Sequence, residues 1–272
     1  MLHRFSLSLH RERFLLKGAL LFAVWFPESH RPTKDLDLSG QGDPSRETLT
    51  EVFRSLCRIE GAEDGMEFLA ETVTCIEIRE ETDYGGLRIH LTAKLETAEI
   101  PVQVDVGFGD VVTPAPEDVD FPVLLDLPAP RLRAYPKETV VAEKFEAMVS
   151  LELGNSRMKD FYDLWTLALL FPFEGDFLTA AIEATFARRS TPIPKGIPVA
   201  LTEQFAEGTG KQAQWKAFCR RSVLRGTAPS LLGVVALLCT FLLPLLQALQ
   251  LIIADGGGSN GSWVRLWKLE LQ

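Results

Sequence analysis

The segment RPTKDLDLSG, residues 31–40, decides the fold more than any other part of the chain. Within it Asp35-Leu36-Asp37-Leu38 alternates polar and apolar side chains, which is the pattern of a strand with one buried face. Residues two apart on a strand point the same way, so Asp35 and Asp37 stand side by side while Leu36 and Leu38 enter a core. Two such carboxylates repel, and the arrangement is costly unless a cation lies between them. Hard oxygen ligands of this type suit Mg²⁺, which takes a few carboxylates together with substrate phosphates. Alone, an Asp-x-Asp is a weak signal, because acids at strand ends are commonly solvated.

Outward from that strand the pattern stays α/β. Upstream, Phe14-Leu15-Leu16 reads as a short extended piece, followed by Lys17-Gly18-Ala19 and an apolar helix over residues 20–26. A glycine at a helix start can admit phosphate to backbone N–H groups, and its plainer reading is a turn. Arg31 and Lys34 could hold phosphate or be surface charges. Downstream, a turn at Gly40–Asp43 leads to a helix reaching about Ile59, with Leu49, Val52, Phe53, Leu56 and Cys57 as its apolar stripe. Residues 72–78, 87–95 and 100–108 read as three strands, joined by turns at Gly85-Gly86 and around Glu96 to Glu99. Asp105 lies inside the third, between Val104 and Val106, where an unpaired carboxylate is expensive. With Asp35 and Asp37 it could complete a three-acid metal group for phosphoryl or nucleotidyl transfer.

The fold class expected is therefore α/β (α+β), a mixed sheet followed by helices. Pro114, Pro116, Pro122, Pro128 and Pro130 make the next stretch irregular, and the boundary is placed there. The expected division is residues 1–125 as core, 126–255 as a helical domain and 256–272 as a flexible tail containing GGGSNGS. Helices are expected at 139–153, 158–171, 176–188 and within 201–221.

Composition narrows the classes. With 46% hydrophobic and 24% charged residues the chain is neither disordered nor fibrous. A net charge of −9 gives no bulk attraction to phosphate backbones, so a nucleic-acid substrate would need a local basic patch or a metal. Cys57, Cys75, Cys219 and Cys239 are far apart with no Cys-x-x-Cys, which points to free thiols in a reducing compartment. The start carries no apolar core for a signal peptide, and a cytoplasmic location is expected. Residues 231–253 are uncharged and long enough to span a bilayer. Pro244, Gln247 and Gln250 fit a buried helix better, so a membrane is the lesser reading.

Taken together, Leu16-Lys17-Gly18-Ala19, then Arg31 to Leu38, Tyr84-Gly85-Gly86-Leu87-Arg88, VQVDVGFGD (102–110), VAEKFEAM (141–148) and KDFYDL (159–164) resemble the AbiEii family of nucleotidyltransferase toxins. The order and spacing of these motifs cover residues 10–170. The resemblance implies a nucleotidyltransferase core of DNA polymerase beta type, Mg²⁺, a nucleoside triphosphate, an acceptor such as tRNA, and a cognate antitoxin or repressor encoded nearby. It implies Asp35 and Asp37 as metal ligands, Gly18 as the phosphate-loop glycine, Lys144 as the helix lysine and Asp160 as the late aspartate, with Asp163 beside it. Lys144 can set an ammonium on triphosphate oxygens, or be a solvated helix lysine. Asp160 and Asp163 share a helix face; one would orient Lys144 or the acceptor, the other would cap or pair with Arg157 or Lys159. Ala19 stands where many nucleotidyltransferases carry serine, which removes a hydroxyl contact to phosphate. The resemblance also implies helices ahead of the first motif, where the chain has residues 1–13. Other readings stay open: a catalytically silent homologue that binds a nucleotide or a partner, and a small-molecule nucleotidyltransferase of the aminoglycoside type.

Overall fold

The computed structural model describes residues 1–26, 31–33, 35–60, 64–78, 85–123, 126–222, 229–254 and 266–267. The chain divides into two compact units, one of Met1–Asp110 with Pro116–Tyr135, the other of Val111–Ala115 with Pro136–Gln272.

The first unit is built on a seven-stranded sheet. Its strands are β1 (Phe14–Lys17), β2 (Leu36–Gly40), β3 (Met66–Ile78), β4 (Gly86–Leu95), β5 (Ala98–Phe108), β6 (Glu117–Asp120) and β7 (Arg131–Ala134), in the order β3-β4-β5-β2-β1-β7-β6. β2 runs parallel to β5 and β1 parallel to β7, while the remaining pairs are antiparallel. The sheet is therefore mixed, as the sequence led one to expect. Short helices α1 (Leu2–Ser6) and α2 (Leu21–Trp25) flank β1 in sequence, and α3 (Arg46–Cys57) lies along β3.

Local chemistry explains these elements. In β4 the side chains alternate, with Leu87, Ile89, Leu91 and Ala93 buried and Arg88 and His90 on the other face. α3 opens on Ser45, whose side chain accepts from the Thr48 N–H, the usual service of an N-cap serine. Leu49, Val52, Phe53 and Leu56 then recur at helical spacing and are buried, each worth about 1.5–3 kcal/mol of apolar transfer. The proline-rich stretch is less irregular than expected, since it contains β6 and leads into β7. Pro122, Pro128 and Pro130 fall between the two strands, where no ladder N–H is needed. The charges of β6 and β7 suit a sheet edge: Asp118 pairs with Arg11 and lies 4.0 Å from Arg131.

The second unit holds α4 (Lys137–Leu151), α5 (Met158–Leu170), α6 (Gly175–Arg188), α7 (Glu203–Glu207), α8 (Thr209–Arg221) and α9 (Leu231–Ala254), with a small antiparallel pair, β8 (Phe173–Glu174) and β9 (Leu266–Trp267). The helix expected within 201–221 is split at Gly208 into α7 and α8. The unit's core is aromatic, with Phe145 against Phe186 at 5.6 Å, Phe161 against Phe205 at 5.5 Å and Phe173 against Phe241 at 5.4 Å between ring centres. α9 is long and apolar enough to cross a membrane by length and composition. Its buried residues Leu231, Val234, Val235, Leu238, Phe241, Leu242, Leu245, Leu246 and Leu249 nevertheless form one stripe, and the helix packs on α5, α6 and α7. Apart from β9, the tail expected to be flexible lies outside the described residues.

Candidate active site

In the first unit the register of four strands sets a row of charges across one face of the sheet. Lys17 on β1 is the partner of Asp37 on β2, Asp37 of Asp105 on β5, and Asp105 of Arg88 on β4. Cross-strand partners share a face, so cation, acid, acid and cation follow one another in line. Leu36 and Leu38 are buried, which turns Asp37 to the open side. Asp35, one residue ahead of β2, is exposed on that side and accepts from Gln103 Nε2 at 3.2 Å. Gln103 is in turn the register partner of His90.

Each acid is settled differently. Asp105 is gripped by Arg88 in a two-point pair, Nε to Oδ1 and Nη2 to Oδ2, both at 2.7 Å. Such fork-to-fork bonds are the strongest of their kind. They push the Arg88 pKa up, first through the hydrogen bond to Asp105, against a smaller effect of burial, with the charges of Asp105, Asp35 and Asp37 adding. All three carboxylates thus act on one guanidinium. Among the described residues no three His, Cys, Asp or Glu side chains are grouped as a metal needs, and both Asp105 oxygens are turned to Arg88.

Gly18 is where backbone and acid meet. Its φ of +74° is left-handed, and a Cβ there would fall 2.1 Å from Asp37 Oδ2. Only glycine permits both that conformation and that approach. The backbone at Gly18, ahead of the five-residue α2, thus lies directly against the Asp37 carboxylate. Lys17 Nζ donates to Asp110 Oδ2 at 2.7 Å and lies 5.8 Å from the Tyr135 ring centre, while the Tyr135 hydroxyl donates to the same oxygen at 3.0 Å. Arg31 is half-buried at a bend ahead of β2. Lys34 lies outside the described residues.

The second unit gathers Lys144, Asp160 and Asp163. Lys144 projects from α4, and its Nζ meets Asp160 Oδ1 at 2.5 Å and Asp163 Oδ2 at 2.9 Å, both acids coming from one face of α5. Side-chain exposure is 14% for Lys144, 7% for Asp160 and 0% for Asp163. Lys144 is thus not a solvated helix lysine, and both acids meet it, where the sequence suggested that only one of them would. Nearby on α4, Glu146 accepts from Arg189 Nη1 at 2.7 Å and from Thr191 Oγ1 at 2.6 Å.

Arg88 and Gln103 escaped the sequence reading, although a signal for Arg88 exists. Once the turn near Glu96 is taken as a hairpin, counting outward from Leu95↔Ala98 sets Arg88 opposite Asp105. Asp110 and Tyr135 carry no such signal, because they reach Lys17 through the chain's path rather than a local pattern.

The mixed sheet and the helices that follow it define an α/β protein, with Asp37 set against a left-handed glycine in its first unit. The sequence model described as "Nucleotidyl transferase AbiEii toxin, Type IV TA system" matches residues 1–235. The chain belongs to this family of nucleotidyltransferase toxins of type IV toxin–antitoxin systems, and membership implies a cognate antitoxin. Among solved structures, that of JHP933 from Helicobacter pylori is similar with a TM-score of 0.50 at 12% identity, covering 93% of this chain and 90% of that one. A putative nucleotidyltransferase from H. pylori has a TM-score of 0.49 at 15% identity, covering 92% of each chain. At such identities the first likeness shows the fold alone. No curated protein matches the chain.

Proposed function

We propose that the protein moves a nucleotide from a nucleoside triphosphate to the acceptor end of tRNA in a Mg²⁺-dependent reaction. The observation that carries this reading is the close approach of Gly18 to Asp37, which keeps a carboxylate where any other residue would displace it. Asp35 and Asp37 fit a dication: they are adjacent on one face, one is exposed, and Mg²⁺ is commonly held by one or two carboxylates with phosphate oxygens completing its shell. When bound there, the metal would offset charge on the triphosphate as pyrophosphate departs. An acceptor hydroxyl oxygen bonds to the α-phosphorus, the bond to the bridging oxygen breaks, and the hydroxyl proton passes to solvent.

The chain's own residues position and neutralise. Gln103 fixes the Asp35 carboxylate by donating to it, and Arg88 fixes the Asp105 carboxylate at both oxygens. In the second unit the Lys144 ammonium, fixed by Asp160 and Asp163, is assigned a part in the transfer, with Asp163 acting through Lys144 because its own side chain is fully buried.

The test incubates purified protein with each α-labelled triphosphate, Mg²⁺ and total tRNA, beside an Asp35→Ala control. Label in RNA with the wild type alone is expected. Label in an added aminoglycoside but not in RNA would move the reading to small-molecule transfer. Label in neither would overturn it.

A further inference from the structure

The chain is acidic overall, yet from Gly208 to Ala254 it holds no Asp or Glu, and Lys211, Lys216, Arg220 and Arg221 follow one another along α8. The inner side of that helix is anchored. Trp215 is buried and its Nε1 donates to the Pro229 carbonyl at 3.0 Å, Phe218 lies 5.8 Å from Tyr162 of α5 between ring centres, and Lys211 donates to the Asn155 carbonyl at 2.6 Å. The outer side is open, with Ala213, Gln214, Lys216, Arg220 and Arg221 exposed. Elsewhere Arg4, Arg54, Arg88 and Arg189 are each joined to an acid. Among the described residues, Lys216, Arg220 and Arg221 meet no carboxylate. Cations in a last turn complement the helix dipole, which accounts for Arg220 and Arg221 but not for Lys216 or for the missing acids. The strip also has a direction. Asn155 leads into α5, where Arg157 is half-buried and Lys159 exposed, and Lys159 directly precedes Asp160, the partner of Lys144.

We infer that the outer face of α8, continued by Arg157 and Lys159 at the head of α5, is a surface on which RNA rests its phosphate backbone. The choice of RNA among polyanions rests on the transfer reading above. A net charge of −9 gives no bulk attraction to phosphates, so an acid-free strip of unpaired cations supplies the local field that binding needs. Lysine, arginine and small polar side chains make such contacts, which position a nucleic acid without reading its sequence. An anionic membrane fits the face less well. A helix lying on lipid turns large apolar side chains outward, and no exposed residue of α8 is of that kind.

The test measures binding of fluorescently labelled tRNA to the full chain by anisotropy, without triphosphate, across a salt series. Wild-type affinity falls steeply as salt rises. Lys216→Gln/Arg220→Gln/Arg221→Gln weakens binding about tenfold or more at low salt and flattens the slope of log affinity against log salt by about two. Lys216→Arg/Arg220→Lys/Arg221→Lys keeps the charge and restores binding, which a merely structural part for these side chains would not produce. Arg58→Gln/Lys94→Gln/Lys195→Gln removes the same charge from other surfaces and stays within about twofold of the wild type. Equal losses in the two glutamine variants overturn the inference, because net charge would then explain both. So does wild-type binding in the α8 glutamine variant, absence of tRNA binding by the wild type at low salt, or binding to phosphatidylglycerol vesicles in place of tRNA. Binding of tRNA that depends on α8, with no label passing from any triphosphate to RNA, keeps the surface and strikes the transfer reading instead.

Discussion

Arg88 and Lys144 both hold aspartates at hydrogen-bond distance, yet the two clusters live in different surroundings. Arg88 and Asp105 keep 32% and 19% of their side-chain surface open, and the acids beside them, Asp35 and Asp37, are exposed or half-buried. Lys144, Asp160 and Asp163 keep 14%, 7% and 0%. Water softens the charge in the first cluster, so its acids can be removed at little cost. In the second, each charge is tolerated only because its partner is present. Ionic clusters built from the same residue types thus differ in what the loss of a member costs: little in the open one, much in the closed one.

The largest effect that would sharpen this contrast is on Lys144. Lys144→Met leaves two buried carboxylates without their cation and should cost about 3–5 kcal/mol of stability, read from urea denaturation. A loss under about 1 kcal/mol would break the contrast, as that is the scale of an exposed pair. Next comes Gly18→Ala. Its φ of +74° and the 2.1 Å approach to Asp37 predict a loss of about 1–2 kcal/mol for forcing a side chain into the left-handed region, together with loss of transfer as Asp37 is displaced. Full transfer in Gly18→Ala would show that Asp37 has no need of its place.

Arg88→Ala belongs lower on the scale. The pair is two-pointed but open to solvent, so a stability loss of about 1 kcal/mol or less is expected from thermal or urea melts. The smallest effect concerns Asp43, an exposed acid with a structural job. It accepts from Thr48 Oγ1, from Ser45 Oγ and from the Ser45 N–H ahead of α3, and these bonds, Thr48 foremost, hold its pKa below the ordinary carboxylate range. A depressed folded value means the stabilisation is fully present above the unfolded pKa and is lost as pH falls through the folded one. Asp43→Ala should therefore lower the melting temperature slightly at neutral pH and not at all in strong acid, leaving transfer unchanged. A transfer defect there would show that exposure alone marks functional acids in this chain.

Much of this was legible in the sequence because it is local. Period-two alternation located β2, β4 and β5, and it put Asp35 and Asp37 on one face before any contact was known. The apolar stripe of α3 and the helices around Lys144 followed from spacing in the same way. What could not be read depends on distant pairing. Asp105 was grouped with Asp35 and Asp37 from the strand pattern, and it does lie beside Asp37, but the parallel pairing of β2 with β5 that brings this about is announced by nothing local. β6 and β7 were hidden because four-residue edge strands with charged faces resemble loop sequence. The burial of Lys144 was beyond reach too, since a lysine on a helix usually faces water and only the meeting of α4 with α5 encloses it. α9 is the opposite case, with so strong a signal that length alone could not separate a core helix from a membrane span.

The central claim is the proposal that Asp35 and Asp37 serve a ligand and contribute little to holding the fold. Equilibrium urea denaturation of Asp35→Ala/Asp37→Ala, in the absence of divalent cation, tests it most directly. The account predicts a midpoint that puts stability within about 1 kcal/mol of the wild type's, because charge pairs open to water contribute little, while transfer is abolished. A midpoint that falls by the amount expected for a buried ion pair would contradict it, and would make these acids part of the scaffold.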